Sequence, residues 1–283
     1  MSENVRIIDT AAPLPRETEI GWYNAVPKFT IHLFGRDQKT DEEIDWSLAP
    51  LQKARDGALD RYLAPRVAAA CRLVNECAQW YAPHPTEFNG RIVRPEDLPE
   101  RILLTNDVTL YRGALAEGVQ LPRKSGFMAS IGGCAIIVAS DGKRMVVAHA
   151  GRRSLFRDDP RDHAHRSVVY QIRDRFCGSF NRDNVKIWVF FSIRPEAFLH
   201  RRNDPVYAKN NDRLLSALIR SGFGSCIMPH EGIDLPTLVQ LQAREAGLNW
   251  QIAKNRYLPP NSYHTGRTDK YRLFKNLAVV YAH

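Results

Sequence analysis

The sequence predicts an α/β (α+β) fold, a mixed β-sheet covered by helices, in a single domain with an N-terminal extension. Three observations carry that expectation. Beyond residue 100, apolar runs of strand length alternate with segments of helical period. Two of those runs flank Asp141-Gly142, a hairpin signal. The composition is that of an ordinary globular chain, with 44% hydrophobic and 25% charged residues over 283 positions, enough to bury a core without cross-links.

Residues 1 to about 28 carry Pro13, Pro15 and Pro27 with little periodicity and read as an irregular arm. Phe29 to Phe34 alternates and predicts a first strand, followed by a polar loop over 37–50. The stretch 65–81 has helical spacing, with Val67, Ala70, Cys71, Val74, Ala78 and Tyr81 on one face and Pro65 in its first turn. Residues 82–100 form a connection, and 1–100 together are read as the N-terminal extension and helix of the same domain. The core spans 101–283. Within it, strands are expected at 101–111, 127–140, 144–149, 185–191 and 276–281, and helices at 167–176, 212–220 and 235–246. The last helix has the clearest ends: Asp234 as N-cap, Ile233 stapled onto Leu238, and Gly247 as a left-handed terminator.

No apolar run reaches the ~18 residues a membrane-spanning helix needs. The opening Met1-Ser2-Glu3-Asn4-Val5-Arg6 lacks the apolar core of a signal peptide. A cytoplasmic protein without membrane partners is the expectation. Five cysteines, with no Cys-x-x-Cys pair, exclude a disulfide framework and a zinc ribbon. The net charge is +9, and residues 143–186 hold eleven Lys/Arg against five Asp/Glu. That field suits an anion such as a phosphate; no groove-reading motif accompanies it, so nucleic acid is not an expected partner.

The chemistry concentrates in two stretches, Ser130-Ile131-Gly132-Gly133-Cys134 and Val146-Val147-Ala148-His149-Ala150-Gly151-Arg152-Arg153. Cys134 follows two glycines that allow close approach. His149 ends the next strand, 15 residues on, across the hairpin. An imidazole beside a thiol favours the thiolate, which is both the nucleophile and the soft metal ligand. Arg152 and Arg153 are candidate phosphate holders, as guanidinium forks suit that geometry. Arg161-Asp162-His163-Ala164-His165 supplies a further His-x-His pair, and His230 and His264 are candidate pocket residues.

These stretches resemble the laccase-domain family, also called YfiH-like, peptidoglycan-editing or polyphenol oxidase. That family carries Thr-Ala-Asp-Cys on one strand and Ala-His-Ala-Gly-Trp-Arg-Gly after the next. The matching residues are Ile131-Gly132-Gly133-Cys134 and Ala148-His149-Ala150-Gly151-Arg152-Arg153-Ser154. Downstream, Phe191 to Glu196, Ile233-Asp234-Leu235 with Gln242 and Gly247, Asn261-Ser262-Tyr263 and Leu277 to Val280 are similar to further family segments, so the resemblance covers 126–283. It implies zinc held by two His and one Cys, in a pocket that handles purine nucleosides by phosphorolysis, with phosphate as co-substrate, or by deamination. Cys134 and His149 would be two of the ligands. The family's third, a His expected near 100–113, has no counterpart, so His163 and His165 are the first substitutes, with His165 taken as the third ligand. Gly133, Arg152, Ser154 and His264 also depart from the family pattern. His264 is retained with Arg152 and Arg153 as a substrate-binding residue.

The same superfamily includes cysteine-dependent deamidases similar to the cytotoxic necrotizing factors. They place Ser-Gly-Cys before the reactive thiol and a His on the next strand, without metal. Gly133-Cys134 is closer to that pattern. The sequence thus supports a purine nucleoside enzyme first. The alternatives are a metal-free Cys–His hydrolase or deamidase acting on a protein or small-molecule amide, and a catalytically degenerate relative that only binds.

Overall fold

A computed structural model describes residues 18–23, 29–35, 46, 48, 58–74, 79–84, 90–105, 108–156, 167–177, 184–253, 256–258 and 275–283. Strands β1 (Thr18–Tyr23), β2 (Phe29–Phe34), β3 (Gln79–Tyr81), β5 (Glu100–Thr105), β6 (Val108–Arg112), β8 (Ser125–Ile131) and β13 (Asn276–Ala282) form a seven-stranded sheet, ordered β1-β2-β13-β8-β3-β6-β5. Strands β4 (Ile92–Val93), β7 (Gly118–Leu121), β9 (Ala135–Ser140), β10 (Met145–Ala150), β11 (Lys186–Phe190) and β12 (Asn249–Trp250) form a six-stranded one, ordered β12-β11-β9-β10-β7-β4. Both sheets are mixed: in the first, β3 runs parallel to β6 and β8 while β8 runs antiparallel to β13, and in the second, β11 runs parallel to β12 while β9 runs antiparallel to β10.

Alternating side chains divide the molecule into layers. Ile136 and Val138 of β9 and Met145 and Val147 of β10 face Phe29, Ile31, Phe127 and Val280 of the other sheet. Their neighbours Ala135, Ile137, Val146 and Ala148 face the opposite way, under helices α2 (Arg152–Leu155), α3 (Val168–Arg175), α4 (Ala208–Arg220) and α5 (Leu235–Glu245). Helix α1 (Ala58–Val74) covers the outer face of the seven-stranded sheet through Val67, Ala68, Ala70 and Cys71. The order helix, sheet, sheet, helices buries both faces of each sheet. Among the described residues, no helix is long and apolar enough to cross a membrane.

The structure redraws several predicted elements. The stretch 127–140 is two strands in two different sheets, and the chain passes between them through Gly132, Gly133 and Cys134. Likewise 101–111 is a hairpin of β5 and β6. The first helix starts earlier, with Pro65 in its interior, and Tyr81 belongs to β3. The arm contains β1, and the connection before residue 100 contains β4 and a 3-10 turn at Pro95–Asp97. Ala78 lies outside the described residues. Asp234 occupies the N-cap position of α5 without capping: its carboxylate accepts from the Thr237 hydroxyl at 2.6 Å and the Tyr257 hydroxyl at 3.0 Å. Gly247 does end that helix in a left-handed conformation, with φ 71°.

Candidate active site

The β9–β10 hairpin sets Ala135 opposite Ala150 and Ile136 opposite His149. Period-two alternation then puts Cys134, just before β9, and His149 on the same face, toward the other sheet. The structure brings the two side chains together at the end of the hairpin away from its turn. A methyl group at Gly151 would stand 3.4 Å from His149 Cε1 and 3.5 Å from Cys134 Sγ. The imidazole and the thiol are close enough to act on one another directly. Cys134 is half-buried and His149 buried, so Cys134 is the more accessible residue of the two.

Glu117 completes the group. It precedes β7, whose Gly118 pairs with Ala148 of β10. A Cβ at Gly118 would lie 2.4 Å from the Val147 carbonyl oxygen, so only glycine lets β7 seat here. That seating gives Glu117 two holds on His149. Its carbonyl accepts the His149 N–H at 2.8 Å, and its carboxylate Oε2 lies 2.8 Å from His149 Nδ1. With Nδ1 taken by the carboxylate, Nε2 is the nitrogen left for Cys134. Glu117 has 0% side-chain exposure, so the carboxylate acts in a medium with little water to screen it.

These contacts set the protonation of His149. Burial alone pulls an imidazole pKa down; the Cys134 thiolate and then Glu117 outweigh it and raise the value to about 10. Between the Cys134 sulfur and the Glu117 carboxylate, His149 is therefore an imidazolium at neutral pH. A thiolate paired with an imidazolium can attack an electrophilic carbon, and the imidazolium can then protonate the leaving group.

The backbone around the thiol is unusual. Gly133 has φ 115°, which side-chain-bearing residues rarely adopt, and a Cβ there would meet Ile193 Cβ at 3.2 Å. Phe191, buried just after β11, has φ 60° and is not a glycine. Such a conformation costs of order 1–3 kcal/mol and is held only by its surroundings. Helix α2 begins immediately after Gly151. Buried Gln242 ties it down by donating to the Leu155 carbonyl at 2.7 Å and accepting from the Ser167 hydroxyl at 2.8 Å.

The other predicted site residues are more dispersed. Arg152 is half-buried and Arg153 exposed, both on α2, and His230 is exposed in the loop before α5. His163, His165 and His264 lie outside the described residues. Part of the basic segment is committed to structure: Arg144 pairs with Asp141 at 2.8 Å and lies over the Phe176 ring, and Arg175 donates to the Ile92 carbonyl. Zinc in a catalytic site commonly takes three protein ligands. Among the described residues no three His, Cys, Asp or Glu side chains converge to hold a metal. Cys134 Sγ and His149 Nε2 supply two donors, and the Glu117 carboxylate is held on Nδ1, the far side of the ring. The described residues therefore do not fit a zinc site.

No protein-family model matches the chain, and no curated protein sequence does. Solved structures do. A Neisseria meningitidis protein of the family DUF152 aligns with TM-score 0.60 and 10% identity over 93% of this chain and 98% of its own. YlmD from Geobacillus stearothermophilus aligns with TM-score 0.60 and 12% identity over 90% and 92%. The Bacillus licheniformis protein YfiH aligns with TM-score 0.61 and 11% identity over 90% and 93%. The chain shares the fold of the YfiH-like proteins along nearly its whole length.

Proposed function

We propose that this chain is a divergent relative of the YfiH-like proteins that works as a metal-independent cysteine hydrolase on an amide or ester carbonyl, a deamidase being the nearest class. One observation carries this reading: His149 is held between the Cys134 thiol and the buried Glu117 carboxylate. Cys134 is the nucleophile, His149 the proton donor and acceptor, and Glu117 positions the ring with Nε2 toward sulfur. In a bare zinc-ligand pair, a carboxylate on the second ring nitrogen would serve equally as an outer partner. What favours the metal-free reading is that the described donors number two.

The purine nucleoside reading rests on the shared fold, with Cys134, His149 and His165 as ligands, phosphate as co-substrate, and Arg152, Arg153 and His264 against the substrate. The two readings separate in one experiment. Untagged protein is analysed for zinc, then offered p-nitrophenyl acetate, and separately adenosine, inosine and methylthioadenosine with and without phosphate. Ester turnover by zinc-free protein, lost in Cys134→Ala, supports the hydrolase. Stoichiometric zinc together with release of free base or deaminated product contradicts it and favours the nucleoside enzyme.

A further inference from the structure

We propose that the backbone N–H of Cys134 is the oxyanion donor of this site, aimed by three positioning residues, Gly133, Phe191 and Ile193. The inference rests on the Cys134–His149–Glu117 reading and extends it to the charge that develops on the substrate.

The ladder between β9 and β11 stops short of the thiol. Strands β9 and β11 pair antiparallel from Lys186–Ser140 to Phe190–Ile136. Continued by two residues, the same register would set Ser192 opposite Cys134 and give the Cys134 N–H a carbonyl partner. Left-handed Phe191 prevents this. It turns Ser192 away, so that the Ser192 N–H donates to the Arg256 carbonyl at 2.8 Å and the Ser192 carbonyl accepts from Leu258 N–H at 2.8 Å. Both ladder groups of Ser192 are spent on the segment 256–258.

Ile193 then fixes the orientation. Its N–H donates to the Gly133 carbonyl at 2.8 Å. In a planar trans peptide the carbonyl and the next N–H point in opposite directions. Pinning the Gly133 carbonyl toward Ile193 therefore points the Cys134 N–H away from Ile193. Among the described residues no acceptor meets that N–H. Buried or half-buried backbone donors are nearly always matched, so a donor whose ladder partner has been diverted, on the nucleophilic residue itself, marks a place for a ligand oxygen.

The chemistry balances without further components except water. The Cys134 thiolate adds to the carbonyl carbon and forms a C–S bond, while the carbonyl π pair moves to oxygen. The Cys134 N–H donates to that oxyanion. Collapse restores the C=O and breaks the bond to the leaving nitrogen or oxygen, which takes its proton from His149. Water then attacks the thioester, gives a proton to His149, and the thiolate is released.

The test uses two reagents on the full chain. Acylation by p-nitrophenyl acetate develops an oxyanion; alkylation by iodoacetamide displaces iodide at a saturated carbon and develops none. Gly133→Ala cannot keep φ 115° without strain, so it should reorient the peptide. Acylation should slow about 10²-fold, the effect of losing one oxyanion donor, while alkylation of Cys134 is unchanged. Equal slowing of both, or no slowing of acylation, overturns the proposal and leaves the site reading standing. A wild-type Cys134 inert to both reagents overturns the two together. Should Gly133→Ala fail to fold, the wild-type protein with isotope-labelled cysteine answers the question. On hemithioketal formation with trifluoroacetone, the Cys134 amide proton should move downfield, and an unmoved amide overturns the proposal.

Discussion

The two ends of the β9–β10 hairpin make opposite use of the same two strands. At the turn, the Ser140, Asp141 and Arg144 side chains find conventional partners. Asp141 accepts from the backbone N–H groups of Lys143 and Arg144 and from the Arg144 guanidinium, and Ser140 accepts from Gly142 N–H. These contacts hold the Asp141 carboxyl below its usual pKa against the burial that raises it. At the other end lie a buried carboxylate, an imidazolium and a thiol, flanked by Gly133 and Phe191 in left-handed conformations, beside a ladder that breaks off. One end obeys local rules and serves stability. The other breaks several at once and is held in place by the rest of the fold, as expected where a protein performs chemistry.

Substitutions can sharpen that contrast. Cys134→Ala should have the largest effect, removing ester turnover by about 10³-fold or more, as loss of a nucleophile does, with thermal stability changed little. Glu117→Ala comes next. It leaves the buried imidazole without its carboxylate and should lower unfolding free energy by about 3 kcal/mol in urea titrations, with turnover down by about 10²-fold. Wild-type turnover in that variant would show that Glu117 does not position the ring.

The pH dependence follows from His149. Its folded pKa lies above the ordinary 6.5, at about 10, so its stabilisation is complete below pH 6.5 and fades as pH rises toward 10. Melting temperatures followed across that range should fall less in His149→Gln than in wild type; parallel curves would contradict the imidazolium. Asp141→Ala, at the orderly end, should have the smallest effect. It costs about 1 kcal/mol of turn hydrogen bonding and leaves Cys134 reactivity unchanged.

The sequence revealed the orderly end more readily than the other. Asp141-Gly142 between apolar strands names a hairpin by itself, and the facing of Cys134 and His149 follows from the strand period. The boundary between β8 and β9 is hidden because these two strands are buried on both faces, so the run from Gly126 to Ser140 shows no alternation to interrupt. Pro65 suggested a first turn because that is where proline is least costly, yet packing of Val67, Ala68 and Cys71 carries the helix through it. Glu117 gave no local sign of its role. Its partner is 32 residues away, and the only hint is an acidic residue among small ones just before the short strand Gly118 to Leu121. Phe191 is equally silent, since the bonds that accompany its left-handed conformation join Ser192 to the distant segment 256–258.

Reactivity of the cysteines decides whether Cys134 is a nucleophile. Among the described cysteines, Cys71 and Cys226 are buried, Cys134 is half-buried and Cys177 is exposed, so accessibility alone would make Cys177 the first of these to react. Chemistry favours Cys134, because the His149 imidazole lies beside its sulfur as an acid–base partner. A short iodoacetamide pulse at pH 6 to 7 on metal-free protein, mapped by mass spectrometry, should label Cys134 first, and His149→Ala should slow that labelling markedly. Labelling of Cys177 ahead of an unreactive Cys134 would contradict the account and make the thiol a structural residue of a protein that only binds.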